Sequence, residues 1–120
     1  MTPLAIGIDL GTSGARAVAM TPAFDIVAQG ASSLTDHGAD ARDPALWWRA
    51  VETALEQVLM AVEPYSVRAI AVDGTSGTLL PVDADGTPLA RPLMYSDKVE
   101  DEGLLARIAP VIARNSAAHG

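Results

Sequence analysis

Two short runs in this chain set a carboxylate at the end of an apolar stretch and follow it with glycines and hydroxyls. The first is "IDLGTSGAR" (residues 8–16) and the second is "VDGTSGT" (72–78). In the first, Gly11 and Gly14 bracket Thr12 and Ser13, directly after Asp9 and Leu10. Successive backbone N–H groups in a tight turn make a concave anion site, and glycines let a ligand approach the backbone closely. A carboxylate beside such a turn is a hard oxygen ligand, suited to holding Mg²⁺ through water. The same residues also make an ordinary hairpin turn, and both readings stand. Position favours chemistry, because an aspartate ending an apolar strand is costly to bury without a partner. The run is neither a Walker A loop, which needs Gly-Lys-Ser/Thr, nor the dinucleotide pattern G-x-G-x-x-G.

In the second run, Asp73, Thr75 and Ser76 offer either hydrogen bonds to a polyol or caps to a turn. Further on, "YSDK" puts Tyr95 two residues before Asp97. On an extended segment both face the same side, an aromatic surface and a carboxylate suited to a sugar, with chance surface placement as the equal alternative. The histidines, His37 and His119, lie in a loop and in the tail, without a ligand set or a nucleophile beside them.

These groups need elements to hold them. Residues 4–10 and 15–20 read as strands joined by the glycine-rich turn, and 24–31 as a third, so the chain opens as a β-meander. Residues 32–43 are polar and read as an exposed loop. Asp43-Pro44 is a helix start, with Asp at the N-cap and Pro at the first helical position. Trp47, Val51, Ala54, Leu55, Val58 and Val62 then recur at spacings of three and four, opposite Arg49, Glu52, Thr53, Glu56 and Gln57, and predict an amphipathic helix ending near Pro64. "VRAIAVDG" (67–74) reads as a buried strand, 77–89 as a hairpin turning at Asp85-Gly86, 91–99 as extended, and 100–113 as a helix weakened by Gly103 and Pro110. The tail carries no packing signal. Together these predict an α/β layer with helices on a mixed sheet. One strong helix leaves too little cover for both faces of that sheet.

The bulk numbers narrow the class. A chain of 120 residues holds one domain at most, and 49% hydrophobic residues predict a core, built from aliphatic side chains because only 4% are aromatic. The charge of −7, with no block of Lys or Arg, argues against nucleic acid or an anionic membrane as partner. The sequence has no cysteine, no basic leader and no run long enough to span a bilayer, and the expected location is the cytoplasm.

With these residues in hand, the chain resembles the carbohydrate kinases of the FGGY type, members of the actin/hexokinase/Hsp70 ATPase superfamily. "IGIDLGTSGARAVAM" is similar to the family's first phosphate-binding hairpin, and "ARDPALWW" to the segment before its first long helix. "IAVDGTSGTLLPVDADGTPLARPLMYSDK" is similar to its substrate-side strand, hairpin and W-x-D-x-R stretch. The resemblance implies a partial ribonuclease H-like (actin-like ATPase) domain, with residues 1–120 as the incomplete N-terminal ATPase-like domain of a two-domain sugar kinase. It implies ATP and Mg²⁺ as cofactors, with Asp9 positioning the metal and the transferring phosphoryl group. Gly11, Thr12 and Ser13 would face the ATP phosphates, and Arg16 would help hold the hairpin. Thr75 and Ser76 fall where other members place longer polar side chains near the sugar, and Tyr95 and Asp97 would line or support the same pocket.

The nearest branches by this resemblance are the ribulose and xylulose kinases, which makes a ketopentose the expected substrate. The Gln-Arg-Glu set of the glycerol branch is missing at 74–76, and Val99 stands where the family usually has Arg. Family members are several times longer, and their general base, second phosphate loop and adenosine pocket fall beyond residue 120. The 120 residues alone are therefore expected to be inactive, and an uncovered sheet is expected to self-associate into a homo-oligomer. The alternative is a non-catalytic remnant of the fold that binds or self-assembles. A chaperone- or actin-like ATPase would share the first hairpin but not the "DGTPL…YSD" segment.

Overall fold

The computed structural model describes residues 1–112, so His119 and the tail lie outside the described residues. Strands β1 (Leu4–Leu10), β2 (Gly14–Met20) and β3 (Ile26–Ser33) form the meander, helix α1 (Pro44–Ala61) follows, and β4 (Val67–Gly74) returns to the sheet. A short helix, α2 (Glu102–Ile108), lies near the end. The sheet order is β3-β2-β1-β4, antiparallel except for the parallel β1–β4 pair. Parallel neighbours need a long crossover, and α1 supplies it.

The period-2 pattern of the strands sorts the two faces. Ile6, Ile8, Ala15, Ala17, Ala19 and Ala28 point to the α1 side and are buried. Asp9, Arg16 and Asp73 share the opposite face, in register across three strands. Asp43 caps α1 as its sequence predicts, its carboxylate accepting from the Ala45 N–H at 2.9 Å.

The buried stripe of α1 is Leu46, Ala50, Ala54 and Val58, with Trp47, Val51, Leu55, Leu59 and Val62 only partly covered. This rotates the helix from the face centred on Trp47 and Val51. Small residues set the rotation, because alanines admit the backbone of α1 close to the backbone of the sheet. The contact is closest at Gly30, where a Cβ would run into the Ala54 carbonyl oxygen. Gln57, expected on the solvent side, instead docks on the outer edge of β3. Its amide accepts from the Ala31 N–H at 3.0 Å and donates to the Ala31 carbonyl at 3.1 Å, blunting a sheet edge.

Other expectations shift. The third strand starts at Ile26 rather than residue 24, because Thr21–Asp25 closes a tight loop in which Phe24 takes φ +67°. The loop at 32–43 is more ordered than its polarity suggests: β3 runs on to Ser33, and Leu34 is buried in a 3-10 turn. The hairpin at 77–89 is reduced to an isolated bridge between Val82 and Pro88, with Gly86 at φ +81°, since Pro81 and Pro88 offer no N–H to a ladder. The helix expected over 100–113 is confined to α2 and a 3-10 turn at Ala109–Val111, ended by Pro110. Its last expected residue, 113, lies outside the described residues.

Strand β4 is not the buried strand its composition predicts. α1 lies over β2 and β3, and Ile70 and Val72 stay 56% and 70% exposed on the half-sheet it does not reach. No helix among the described residues is long and apolar enough to cross a membrane.

The Gly30–Ala54 approach gives a direct check on this packing. Gly30→Ala is expected to lower stability by about 1–3 kcal/mol, the usual range for forcing extra volume into a packed contact. Urea unfolding measures it, and an unchanged midpoint would contradict the close approach.

Candidate active site

The β1–β2 turn is closed by the Gly11 N–H donating to the Gly14 carbonyl at 2.9 Å. It is fixed from both flanks. The Thr75 N–H donates to the Leu10 carbonyl at 3.2 Å, and the Leu34 N–H donates to the Ser13 carbonyl at 2.9 Å. The two glycines have different roles. Gly14 is required by β3, because a Cβ there would strike the Ser32 carbonyl oxygen. At Gly11 the nearest atom to a Cβ would be the Gly14 carbonyl oxygen at 3.6 Å, so that side of the turn is open.

The turn separates two concavities. One, of about 320 Å³, is lined by Asp9, Gly11, Ser13 and Arg16 with Ser32, Ser33 and Asp36 of the β3 end and the turn after it. Hydroxyls, a guanidinium, backbone and carboxylates meet there. Asp9 is exposed at its mouth, paired in register with Arg16 on one side and Asp73 on the other. Neither Asp9 nor Asp73 forms an ion pair among the described residues. Those residues contain no group of three or more metal-ligating side chains. Mg²⁺ does not need one: it usually keeps several waters and takes one or two carboxylates together with substrate phosphates. The donor set at Asp9 and Asp73 fits that habit. Asp73 was legible as a second strand–aspartate–glycine unit, and the parallel register brings it beside the first.

The other concavity, of about 190 Å³, is lined by Leu10, Gly11 and Thr12 of the turn, Trp47 of α1, Gly74, Thr75 and Thr78 after β4, and Met94. Thr12, expected to face the phosphates with Gly11 and Ser13, therefore lies on the opposite side of the turn from Ser13. The Thr78 Oγ1 atom is buried and has no hydrogen-bond partner among the described residues, a cost of about 1–3 kcal/mol when nothing fills it. Thr75 is in this wall as the sequence suggests. Nothing in the sequence marks Trp47, Thr78 or Met94 for this cleft, since Trp47 at helical spacing reads as a packing residue and the other two belong to no distinguishing pattern.

Ser76, Tyr95 and Asp97 are not brought into that wall. Residues 94–97 form a turn, closed by the Asp97 N–H donating to the Met94 carbonyl at 3.0 Å. The segment is therefore not extended, and Tyr95 and Asp97 do not present a shared face. Tyr95 is 64% exposed, and its Cβ lies where Gly77, at φ +78°, leaves room for it. Asp97 instead receives a two-pronged ion pair. Arg42 Nη1 and Nη2 donate to its two oxygens at 2.6 Å each, and the Met94 N–H adds a third bond at 2.9 Å. A second pair, Arg91 to Asp40 at 3.0 and 3.2 Å, ties the same two segments nearer the surface. Trp47 is held by the first of them, its Nε1–H donating to the Ala41 carbonyl at 2.8 Å.

The Arg42 guanidinium, and after it the Met94 N–H, hold the Asp97 carboxyl well below the usual carboxylate range. A depressed folded-state value contributes stability that is complete above the unfolded value, about 3.9, and is lost progressively as pH falls from there through the lower folded one. Carboxyl-carbon NMR is expected to show Asp97 still ionised at the ordinary midpoint, and Arg42→Ala is expected to return it towards about 3.9. Titration of Asp97 near that value in the unsubstituted chain would contradict the geometry.

Comparisons with known proteins identify the family. The chain matches the FGGY family of carbohydrate kinases, N-terminal domain, over residues 4–102. It is 32% identical over 98 residues to a xylulose kinase of Streptomyces coelicolor, covering 79% of this chain and 20% of that protein. A xylulose kinase structure from Brucella ovis superposes with a TM-score of 0.66 at 28% identity, over 88% of this chain and 24% of the other. One from Bifidobacterium adolescentis gives 0.71 at 20% identity, over 96% and 22%, a likeness of fold. The chain thus spans about a fifth of the length of the curated relatives it matches.

Proposed function

Because this chain belongs to the FGGY family of carbohydrate kinases, we propose that it forms the N-terminal wall of an ATP-dependent kinase that phosphorylates a ketopentose such as ribulose or xylulose. The observation that carries this reading is the Gly11–Gly14 turn with a polar concavity on one side and a mixed one on the other. Phosphoryl transfer is catalysed mainly by positioning and charge stabilisation. A turn flanked by these two concavities is a natural place for phosphate and acceptor to meet.

On the polar side, Asp9, with Asp73 beside it in register, would hold Mg²⁺ through water. Gly11 and Ser13, with the Ser33 hydroxyl, would surround the phosphates. The bound Mg²⁺·ATP supplies the phosphoryl group and the charge neutralisation. On the other side, Thr12, Thr75 and Thr78 offer hydroxyls against the Trp47 ring, the mixture of polar points and flat apolar surface that a polyol matches. The orphaned Thr78 hydroxyl supports a ligand that arrives carrying its own hydrogen-bonding groups. Tyr95 and Asp97 act from outside this wall, Asp97 by fixing the turn that presents Met94.

None of the residues lining this cleft is a carboxylate or another titratable base. The proton of the sugar hydroxyl would leave to a base that this lining does not supply, and the isolated 120 residues are expected not to turn over. The reaction belongs to a longer, two-domain protein acting in the cytoplasm. In that protein, Asp9→Asn is expected to lower kcat by about 10²–10³, the scale of losing one preorganised electrostatic group, with sugar KM little changed. A coupled ADP-release assay measures this, and unchanged turnover would remove Asp9 from the site.

The exposed Ile70 and Val72 and the free edge of β4 support self-association of this chain on its own. Light scattering of the 120-residue chain is expected to give a dimer or larger species. A monomer at all concentrations would contradict that.

A further inference from the structure

The ion pair between Arg42 and Asp97 joins residues 55 apart in sequence and meets the cleft from both sides. On one side, the residue before Arg42 is Ala41, whose carbonyl holds the Trp47 indole, and the residue after it is Asp43, which caps α1. On the other side, Asp97 accepts from the Met94 N–H, and Arg42 Nη1 also donates to the Pro92 carbonyl at 3.3 Å. Trp47 and Met94 both line the 190 Å³ cleft. The guanidinium thus bonds to the segment that carries Met94, while the Arg42 backbone directly follows Ala41, whose carbonyl holds Trp47.

We propose that Arg42 is a positioning residue of this cleft, fixing the separation of its Trp47 and Met94 walls and hence its fit to the polyol. The inference rests on reading the cleft as the sugar side of the site. The planar fork of arginine matters here, since two parallel bonds to a carboxylate fix direction as well as distance, whereas lysine supplies a point charge. The Arg91–Asp40 pair serves as the comparison, although Asp40 also accepts from the Arg42 N–H at 3.1 Å. It ties the same two segments, but neither partner, nor any residue either one hydrogen-bonds through its side chain, lines the cleft. It is also more exposed, at 68% and 50% of the side chains against 36% and 29% for Arg42 and Asp97.

The test uses the 120-residue chain with Trp48→Phe, which leaves Trp47 as its single tryptophan. Trp47 emission is followed alone and during titration with D-ribulose, D-xylulose and Mg²⁺·ATP, in the parent and in Arg42→Ala, Arg42→Lys and Arg91→Ala. Arg42→Ala is expected to shift Trp47 emission to the red and to weaken ketopentose binding about tenfold, while nucleotide affinity stays within about twofold. Arg42→Lys, which keeps the charge and the fold, is expected to fall between, and Arg91→Ala is expected to match the parent. Equal sugar affinity in the parent and both Arg42 variants overturns the positioning role and leaves the kinase reading standing. So does an Arg91→Ala loss as large as that of Arg42→Ala, since loop tethering alone would then account for both. A parent chain that answers to neither ketopentose defeats the sugar reading of the cleft, and this inference with it.

Discussion

The structure depends on how closely α1 lies against the sheet. Ala50 and Ala54 on the helix, and Ala17, Ala19, Ala28 and Gly30 on the strands, leave almost no side-chain thickness between the two backbones. Each alanine buries little apolar area, so the gain per residue is small. The close contact is instead specific, because it fixes where α1 crosses β2 and β3. That placement brings the first turn of the helix, with Trp47, beside the end of β1 and the Gly11–Gly14 turn. It also leaves β4 uncovered. One packing choice therefore sets a cleft wall and an open half-sheet together.

The two ends of the meander show how polar groups are then held without a large core. The β1–β2 turn is pinned by three backbone hydrogen bonds, one internal and one from each flank. The segments at 40–43 and 91–97 have little apolar burial, and paired charges tie them instead. Exposed ion pairs are worth little in stability, so their contribution here is better described as geometric. The forked Arg42–Asp97 pair fixes orientation in a region where no helix or strand does so.

Much of the frame was legible in sequence because it rests on local rules. The strand ends at Asp9 and Asp73, the Asp43-Pro44 helix start and the glycine-rich turn each follow from spacing and capping within a few residues. The rotation of α1 was not legible. Alanine is weakly hydrophobic, so the larger Trp47 and Val51 drew the predicted face towards themselves, although close approach selects the small residues. The exposure of β4 was hidden for a related reason, since an apolar run shows that a strand can be buried but not where the helix lies. Arg42–Asp97 joins segments that no periodicity connects, and of the two roles open to Asp97, lining the pocket or supporting it, its bonds favour support. Trp47 and Met94 fit any packing pattern, so only their convergence in space marks them as cleft residues.

In the proposed function the Gly11–Gly14 turn divides two ligands, phosphate on the Asp9 and Ser13 side and polyol on the Thr12 and Thr75 side. Backbone amide NMR of the 120-residue chain, titrated separately with Mg²⁺·ATP and with a ketopentose, tests it most directly. Nucleotide is expected to shift the amides of Gly11, Ser13, Ser32 and Ser33, sugar those of Thr75, Thr78 and Met94, and Thr12 is expected to respond to both. Perturbation of one common set by both ligands, or of neither side of the turn, would contradict it.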